Sequence, residues 1–265
     1  MSPLIEVRDL HFRYDKKAPV DAGGIPWTLS GLNFDVREAA TLGVVGESGS
    51  GKSTLIRLMC GLLSTDRGSV RFDGREVPEW LREDPPGFRR RNQIVFQSPA
   101  SSMDPRMRVR SSLAEPVKAI ERRSPAEDEM IRWLQRVGLG PEVLSRYPHQ
   151  LSGGPLQRVG IARALSVDPT VLYADEPTSA LDVSVQAQVL NLLMDLREDL
   201  GLTLVMVSHD LAVISRMCEE LIVLKDGVVV ESGRTSDIMR APTREYTAAL
   251  VEAANAVSLS AGRTD

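Results

Sequence analysis

The sequence predicts an α/β fold with an antiparallel β portion at its N-terminus and a helical subdomain inserted into the α/β core. Three observations carry that prediction. An apolar stretch of strand length, Thr41–Val45, runs through a glycine-rich segment, 46–54, into an apolar helical stretch, 55–63. From about residue 98 to 165 the pattern turns helical. After residue 166, short apolar strands again alternate with helical segments.

Taken in order, residues 4–8 and 32–36 alternate apolar and polar side chains, as half-buried strands do. Residues 69–72 repeat the pattern and close on the turn dipeptide Asp73-Gly74. Ser124-Pro125-Ala126-Glu127 predicts a helix start, with a serine N-cap, a first-turn proline and a capping-box glutamate. Ile131, Leu134, Val137 and Leu139 then recur at roughly helical spacing. A strand over 171–174, a helix from Ser184 to about Leu200 and a strand over 203–207 follow, then a helix from Leu211. Strands over 221–224 and 228–230 flank Asp226-Gly227, a hairpin signal. The tail after Ala254 is small and polar and is expected to fray. The expected division is therefore 1–97 and 166–240 as the α/β core, 98–165 as the helical subdomain, and 241–265 as a C-terminal helix and flexible tail.

Bulk composition bounds the function. With 265 residues, 42% hydrophobic and 26% charged, the chain reads as an ordinary soluble globule. A net charge of −4 gives no drive toward nucleic acid or anionic lipid. Cys60 and Cys218 fall in apolar helical patterns and read as core thiols of a reducing compartment, without disulfide or metal spacing. No basic-then-apolar leader and no apolar run near ~18 residues is present, so a cytosolic protein is expected, reaching a membrane only through a partner.

The segment Gly46-Glu47-Ser48-Gly49-Ser50-Gly51-Lys52-Ser53-Thr54 fits G-x-x-x-x-G-K-[ST] in the strand–loop–helix context that this pattern needs. Small residues let backbone N–H groups converge on an anion, and the helix N-terminus adds partial positive charge. Lys52 supplies a mobile charge for β- and γ-phosphates, and the Ser53 hydroxyl can ligate Mg²⁺. Nucleotide binding follows. Downstream, Val171-Leu172-Tyr173-Ala174 ends in Asp175 and Glu176. Acids at the carboxyl end of a buried parallel strand emerge at a ligand crevice. Asp175 then suits Mg²⁺, directly or through water, and Glu176 suits a general base for attacking water. Acids after strands also cap helices; the upstream loop makes the functional reading the more specific one.

Leu151-Ser152-Gly153-Gly154-Pro155-Leu156-Gln157-Arg158 places a serine and two glycines at a helix start, a second anion cradle. Here the chain resembles the ATP-binding-cassette (ABC) ATPases, whose signature reads LSGGQ. The resemblance runs through nearly the whole chain in order. Gln97 resembles the Q-loop glutamine, Ser179-Ala180-Leu181-Asp182 the D-loop, His209 the switch histidine, and Tyr14 the aromatic that stacks on adenine. Within the family, residues 98–106, 147–150, 179–193 and 242–250 look like the dipeptide, oligopeptide and nickel importer branch.

The resemblance implies an ATP-hydrolysing subunit that uses ATP and Mg²⁺, with Gln97 joining Ser53 and Asp175 at the metal. It implies a head-to-tail dimer with a second ATPase, copy or paralogue, in which each phosphate loop faces the partner's Ser152-Gly153-Gly154 and Asp182 links the two sites. His209 would contact the γ-phosphate. Two membrane permease subunits would dock near Gln97, Met103 and Arg106, holding the chain at the cytoplasmic face of the membrane, with an extracytoplasmic solute-binding protein as indirect partner. Peptides are the default solute, nickel or a metal chelate the next. Pro155 departs from the family glutamine. Its helix should survive, but an amide side chain and one backbone N–H are lost. The alternatives are a soluble cassette ATPase uncoupled from transport and a catalytically weak member of an asymmetric pair.

Overall fold

A computed structural model describes residues 2–16 and 27–261. The chain divides into two compact units, one of residues 1–81 with 205–265 and the other of residues 82–204. The first unit opens with β1 (Ile5–Phe12), β2 (Leu29–Val36), β3 (Thr41–Val45), α1 (Lys52–Met59), β4 (Arg67–Phe72) and β5 (Arg75–Glu76). The chain leaves it through α2 (Val77–Glu83). The second unit holds α3 (Pro85–Arg91), β6 (Asn92–Val95), α4 (Val109–Glu121), α5 (Glu127–Arg136), α6 (Gly153–Leu165), β7 (Val171–Asp175) and α7 (Val183–Leu200). It exits through β8 (Thr203–Ser208). The first unit then resumes with α8 (Leu211–Met217), β9 (Glu220–Lys225), β10 (Val228–Arg234), α9 (Thr235–Arg240) and α10 (Glu245–Ala261).

In the first unit, β1 pairs antiparallel with β2 and β4, and β4 with β5, giving the order β2-β1-β4-β5. The alternation read from sequence is visible in β1, where Ile5, Val7, Leu10 and Phe12 are buried. Every residue of β3 is buried, as in a strand covered on both faces, and it pairs parallel with β9. Asp226 and Gly227, at φ 47 and 76, join β9 to antiparallel β10 as a two-residue hairpin. Of the tail expected to fray after Ala254, residues 255–261 continue α10, and residues 262–265 lie outside the described residues. The α10 run is rich in alanine, the strongest helix former, and Val251 and Ala254 are buried along it.

In the second unit β6 and β7 run parallel, with Asn92 opposite Val171 and Val95 opposite Ala174. The buried Tyr173 hydroxyl donates to Asn92 Oδ1 at 3.2 Å, which fixes that pair. The expected helical subdomain, 98–165, lies within this unit. Its α5 starts later than predicted: Ala126, not Ser124, is the N-cap. The reciprocating carboxylate is that of Glu129, which accepts the Ala126 N–H at 2.8 Å, rather than that of Glu127. With Ala126 as the cap, Ser124 and Pro125 both precede the helix, and Glu129 rather than Glu127 falls at the third helical position. The acidic first turn of Glu127, Asp128 and Glu129 then complements the helix dipole. Short helices α2 and α3 went unpredicted; each is too brief to show a periodic apolar face.

Candidate active site

The phosphate loop belongs to the first unit. Gly51 is the N-cap of α1 at φ 102, a left-handed backbone that glycine adopts without steric cost. No side chain caps this helix and no acid occupies its first turn, so its positive end is not offset locally. Lys52 is buried, and its Nζ donates to the carbonyls of Gly46 at 2.7 Å and Glu47 at 2.8 Å. The loop thus carries a cation folded onto its own backbone. Ser50 Oγ is buried with no hydrogen-bond partner, the kind of orphan that a ligand or water satisfies. Glu47, Ser48 and Gly49 form the exposed crest, while Ser53 is half-buried in the first turn of α1.

Tyr14 sits beside this helix. Its hydroxyl shares a 3.1 Å hydrogen bond with Thr54 Oγ1, and its ring stands edge-on to Phe12 at 4.9 Å between centroids. Tyr14 is 54% exposed, an aromatic residue open to solvent next to α1. His209 is exposed just beyond β8. Asp210, the next residue, caps α8 by accepting the N–H groups of Ala212 at 2.8 Å and Val213 at 3.3 Å. Sequence reasoning missed one contact. The Glu47 N–H donates to the Tyr246 hydroxyl of α10 at 3.2 Å, across 199 residues of chain, and no local pattern signals such a pair.

The acid pair belongs to the second unit. Asp175 is the last residue of the fully buried β7 and is itself 4% exposed. Glu176 follows at φ 45, a sparsely populated backbone for a non-glycine residue, of the sort found at functional sites. Ser179 braces this turn, its N–H and hydroxyl donating to the Glu176 carbonyl at 3.3 and 3.2 Å. Gln97 Nε2 donates to Glu176 Oε2 at 3.2 Å. The glutamine and the carboxylate, 79 residues apart in sequence, are therefore in direct contact.

The second glycine-bearing turn opens α6. Ser152 is the N-cap, extended at φ −71 and ψ 168, and its side chain makes no cap hydrogen bond. Ser152 and Gly153 are exposed, whereas Gly154 is buried. A Cβ at Gly154 would lie 2.5 Å from Val185 Cγ1, and one at Gly153 would lie 3.0 Å from Leu181 Cδ2. Both glycines thus allow close packing, Gly153 against Leu181 and Gly154 against Val185 of α7. Asp182 is engaged locally: Oδ1 accepts the Val185 N–H and the Ser184 hydroxyl, both at 2.9 Å, and caps α7. The Val185 N–H first and the Ser184 hydroxyl next hold this carboxyl below the usual aspartate range. Next to it, Val183 is 84% exposed, an apolar side chain standing in solvent. Cys60 and Cys218 are buried as expected, and burial pushes the Cys218 thiol up to about 12.

A strand–glycine-rich loop–helix unit with a buried lysine on the loop defines a phosphate-binding α/β protein of the P-loop class. The ABC transporter family model matches residues 29–179. A Brucella ovis protein named for peptide import is 40% identical over 254 residues, covering 95% of this chain and 78% of its own. The dipeptide transport ATP-binding protein DppF of Haemophilus influenzae is 44% identical over 227 residues, covering 85% of this chain and 69% of its own. Among solved structures, the dimeric ATP-binding cassette MJ0796 in a post-hydrolysis state with ADP and Pi superposes with a TM-score of 0.76. It is 29% identical over 87% of this chain and 98% of its own. This chain belongs to the ABC transporter family, as an ATP-binding ATPase subunit.

Proposed function

We propose that the chain hydrolyses ATP to power peptide uptake through partner membrane subunits. The observation that carries the enzymatic part is the Gln97–Glu176 contact on a strained turn at the end of a buried strand. A module that only bound nucleotide would have no need of a carboxylate held there. Residues 46–54 cradle the phosphates, Lys52 moves from the loop carbonyls to the incoming negative charge, and the Tyr14 ring stacks on adenine. Glu176 accepts the proton of the attacking water. His209 and Lys52 stabilise the charge on the transferring phosphoryl group.

The metal role is assigned residue by residue, to Ser53 in the first unit and to Gln97 and Asp175 in the second. The described residues contain no group of three or more His, Cys, Asp or Glu able to hold a metal ion. Ser53, Gln97 and Asp175 instead offer one hydroxyl, one amide oxygen and one carboxylate, hard donors suited to an ion that takes its other ligands from phosphate and water. Mg²⁺, when bound, would neutralise charge on the β- and γ-phosphates.

Ser152, Gly153 and Gly154 serve the nucleotide of a second ATPase subunit in a head-to-tail dimer, with exposed Val183 and Asp182 at its interface. The dimeric state of MJ0796 supports that assembly. No helix among the described residues is long and apolar enough to cross a membrane. The permease subunits proposed as partners would hold the chain at the membrane. The names of the Brucella and Haemophilus relatives support peptides as the solute, delivered by an extracytoplasmic binding protein.

Glu176→Gln in the assembled transporter tests the reading. Turnover should fall ~10²–10⁴-fold, the usual contribution of a general base, while ATP is still bound, the ATPase dimer accumulates and labelled-peptide uptake stops. Unchanged turnover would remove Glu176 from the chemistry. A weak-site reading has one supporting observation, Pro155 in the signature turn.

A further inference from the structure

We propose that Tyr246 is a positioning residue for the phosphate loop, so that the C-terminal helix α10 sets the loop's affinity for nucleotide. The proposal rests on the reading of residues 46–54 as the nucleotide site.

The geometry converges on one peptide unit. The Gly46 carbonyl and the Glu47 N–H belong to the same planar peptide, and in a trans peptide they point in opposite directions. Lys52 Nζ donates to that carbonyl at 2.7 Å, and the same peptide's N–H donates to Tyr246 Oη at 3.2 Å. The plane is therefore held from both sides, by the catalytic cation and by a phenol on a remote helix. Lys52 also takes the next carbonyl, that of Glu47, at 2.8 Å. Rotation of this peptide would redirect both the carbonyl that parks Lys52 and the entry into the loop crest. Glycine at 46 has no side chain of its own to oppose such rotation, so its packing neighbours and the two hydrogen bonds must do so.

Tyr246 is itself well anchored. Lys225 Nζ lies 4.7 Å from the centroid of its ring, within cation–π range. Three residues earlier, Thr243 ties the start of α10 to β10, its N–H and hydroxyl donating to Glu231 Oε1 at 2.8 and 2.9 Å. Thr247, the residue after Tyr246, is fully buried. Burial raises the Tyr246 pKa above the ordinary phenol value, so the group remains a neutral hydroxyl at physiological pH. A helix whose only task was to cover the sheet would need the ring; it would not need the hydroxyl on a loop amide.

Tyr246→Phe in the full chain isolates the hydroxyl, because ring, burial and the Lys225 contact remain. The expected result is a ~3- to 10-fold rise in the Kd for ATP, the scale of one neutral hydrogen bond. In the assembled transporter KM for ATP rises with kcat nearly unchanged. The nucleotide-induced rise in Tm shrinks, and amide exchange accelerates at Glu47 but not in α1. A purely structural role would lower Tm equally with and without nucleotide and leave Kd alone, and that result would overturn the proposal. So would a Kd equal to that of the unsubstituted chain. Should Tyr246→Phe fold poorly, Lys225→Met keeps the hydroxyl and loosens the ring; an unchanged Kd there, with faster Glu47 exchange, would overturn the proposal equally. If the unsubstituted chain bound no ATP, the nucleotide-site reading itself would fall, and this proposal with it.

Discussion

Pro155 alters one side chain and one backbone donor without disturbing its helix. It is the third residue of α6, where an N–H would have no acceptor within the helix, and the first intrahelical bond, Leu156 N–H to the Ser152 carbonyl at 3.0 Å, is intact. The cost of the proline therefore falls on whatever the helix start binds. Pro155→Gln should raise turnover of the assembled transporter several-fold at limiting ATP, measured by phosphate release. No change would show that this site already works at full rate, and the asymmetric-pair reading would fail. At the same scale, the phosphate-loop residues were legible in sequence because binding a phosphate with backbone N–H groups demands glycine, lysine and a hydroxyl at fixed spacing. Tyr246 was not, because its partner is distant in sequence and its chemistry is that of any buried tyrosine.

Helix starts are where sequence and structure differed most. Asp182 and Asp210 lie directly before apolar helical runs and cap α7 and α8 through short side-chain reach. At α5 the cap falls on Ala126, whose side chain can accept nothing, and Glu129 supplies the reciprocal bond. The Ser124-Pro125 signal lay two residues ahead of the observed start, and the Glu129 carboxylate, accepting the Ala126 N–H, marks where the helix begins. Asp182 yields a pH test. Its carboxyl is held below the ordinary aspartate value, so its contribution to stability is present above about pH 3.9 and is lost as pH falls through the lower folded-state value. Asp182→Ala should therefore lower Tm at pH 7, and the difference from the unsubstituted chain should close in acid. A pH-independent difference would mean that the carboxylate is not the stabilising group.

On the scale of the whole molecule, docking of the membrane subunits was expected near Gln97, Met103 and Arg106. Met103 is 4% exposed and packs in the core, so it cannot serve as a contact for a partner. Its apolar side chain won burial over exposure in a segment whose neighbours are polar. Arg106 remains a suitable probe, since its side chain is 88% exposed and its guanidinium is steadied by Asp104 at 3.1 Å. Close by in the second unit, a cavity of about 150 Å³ is lined by Phe96, Ser102, Pro116 and Arg163, among others. Arg106→Glu should leave ATP binding by the chain unchanged while reducing co-purification with the permease and peptide uptake. Intact assembly and uptake would remove this surface from the docking site.

The sequence by itself pointed to the phosphate loop, the acid pair, the strands and helices of strong periodicity, and the family, because each rests on short-range rules of spacing, periodicity and turn chemistry. Only the tertiary structure decided which side chains meet: Gln97 with Glu176, Gly154 with Val185, and Tyr246 with the loop amide of Glu47. Such contacts depend on how distant segments pack, and packing is set by burial and shape across the fold, which no local window of residues encodes. Remove the Tyr246 hydroxyl without changing nucleotide affinity, and the proposed link between α10 and the phosphate loop dissolves.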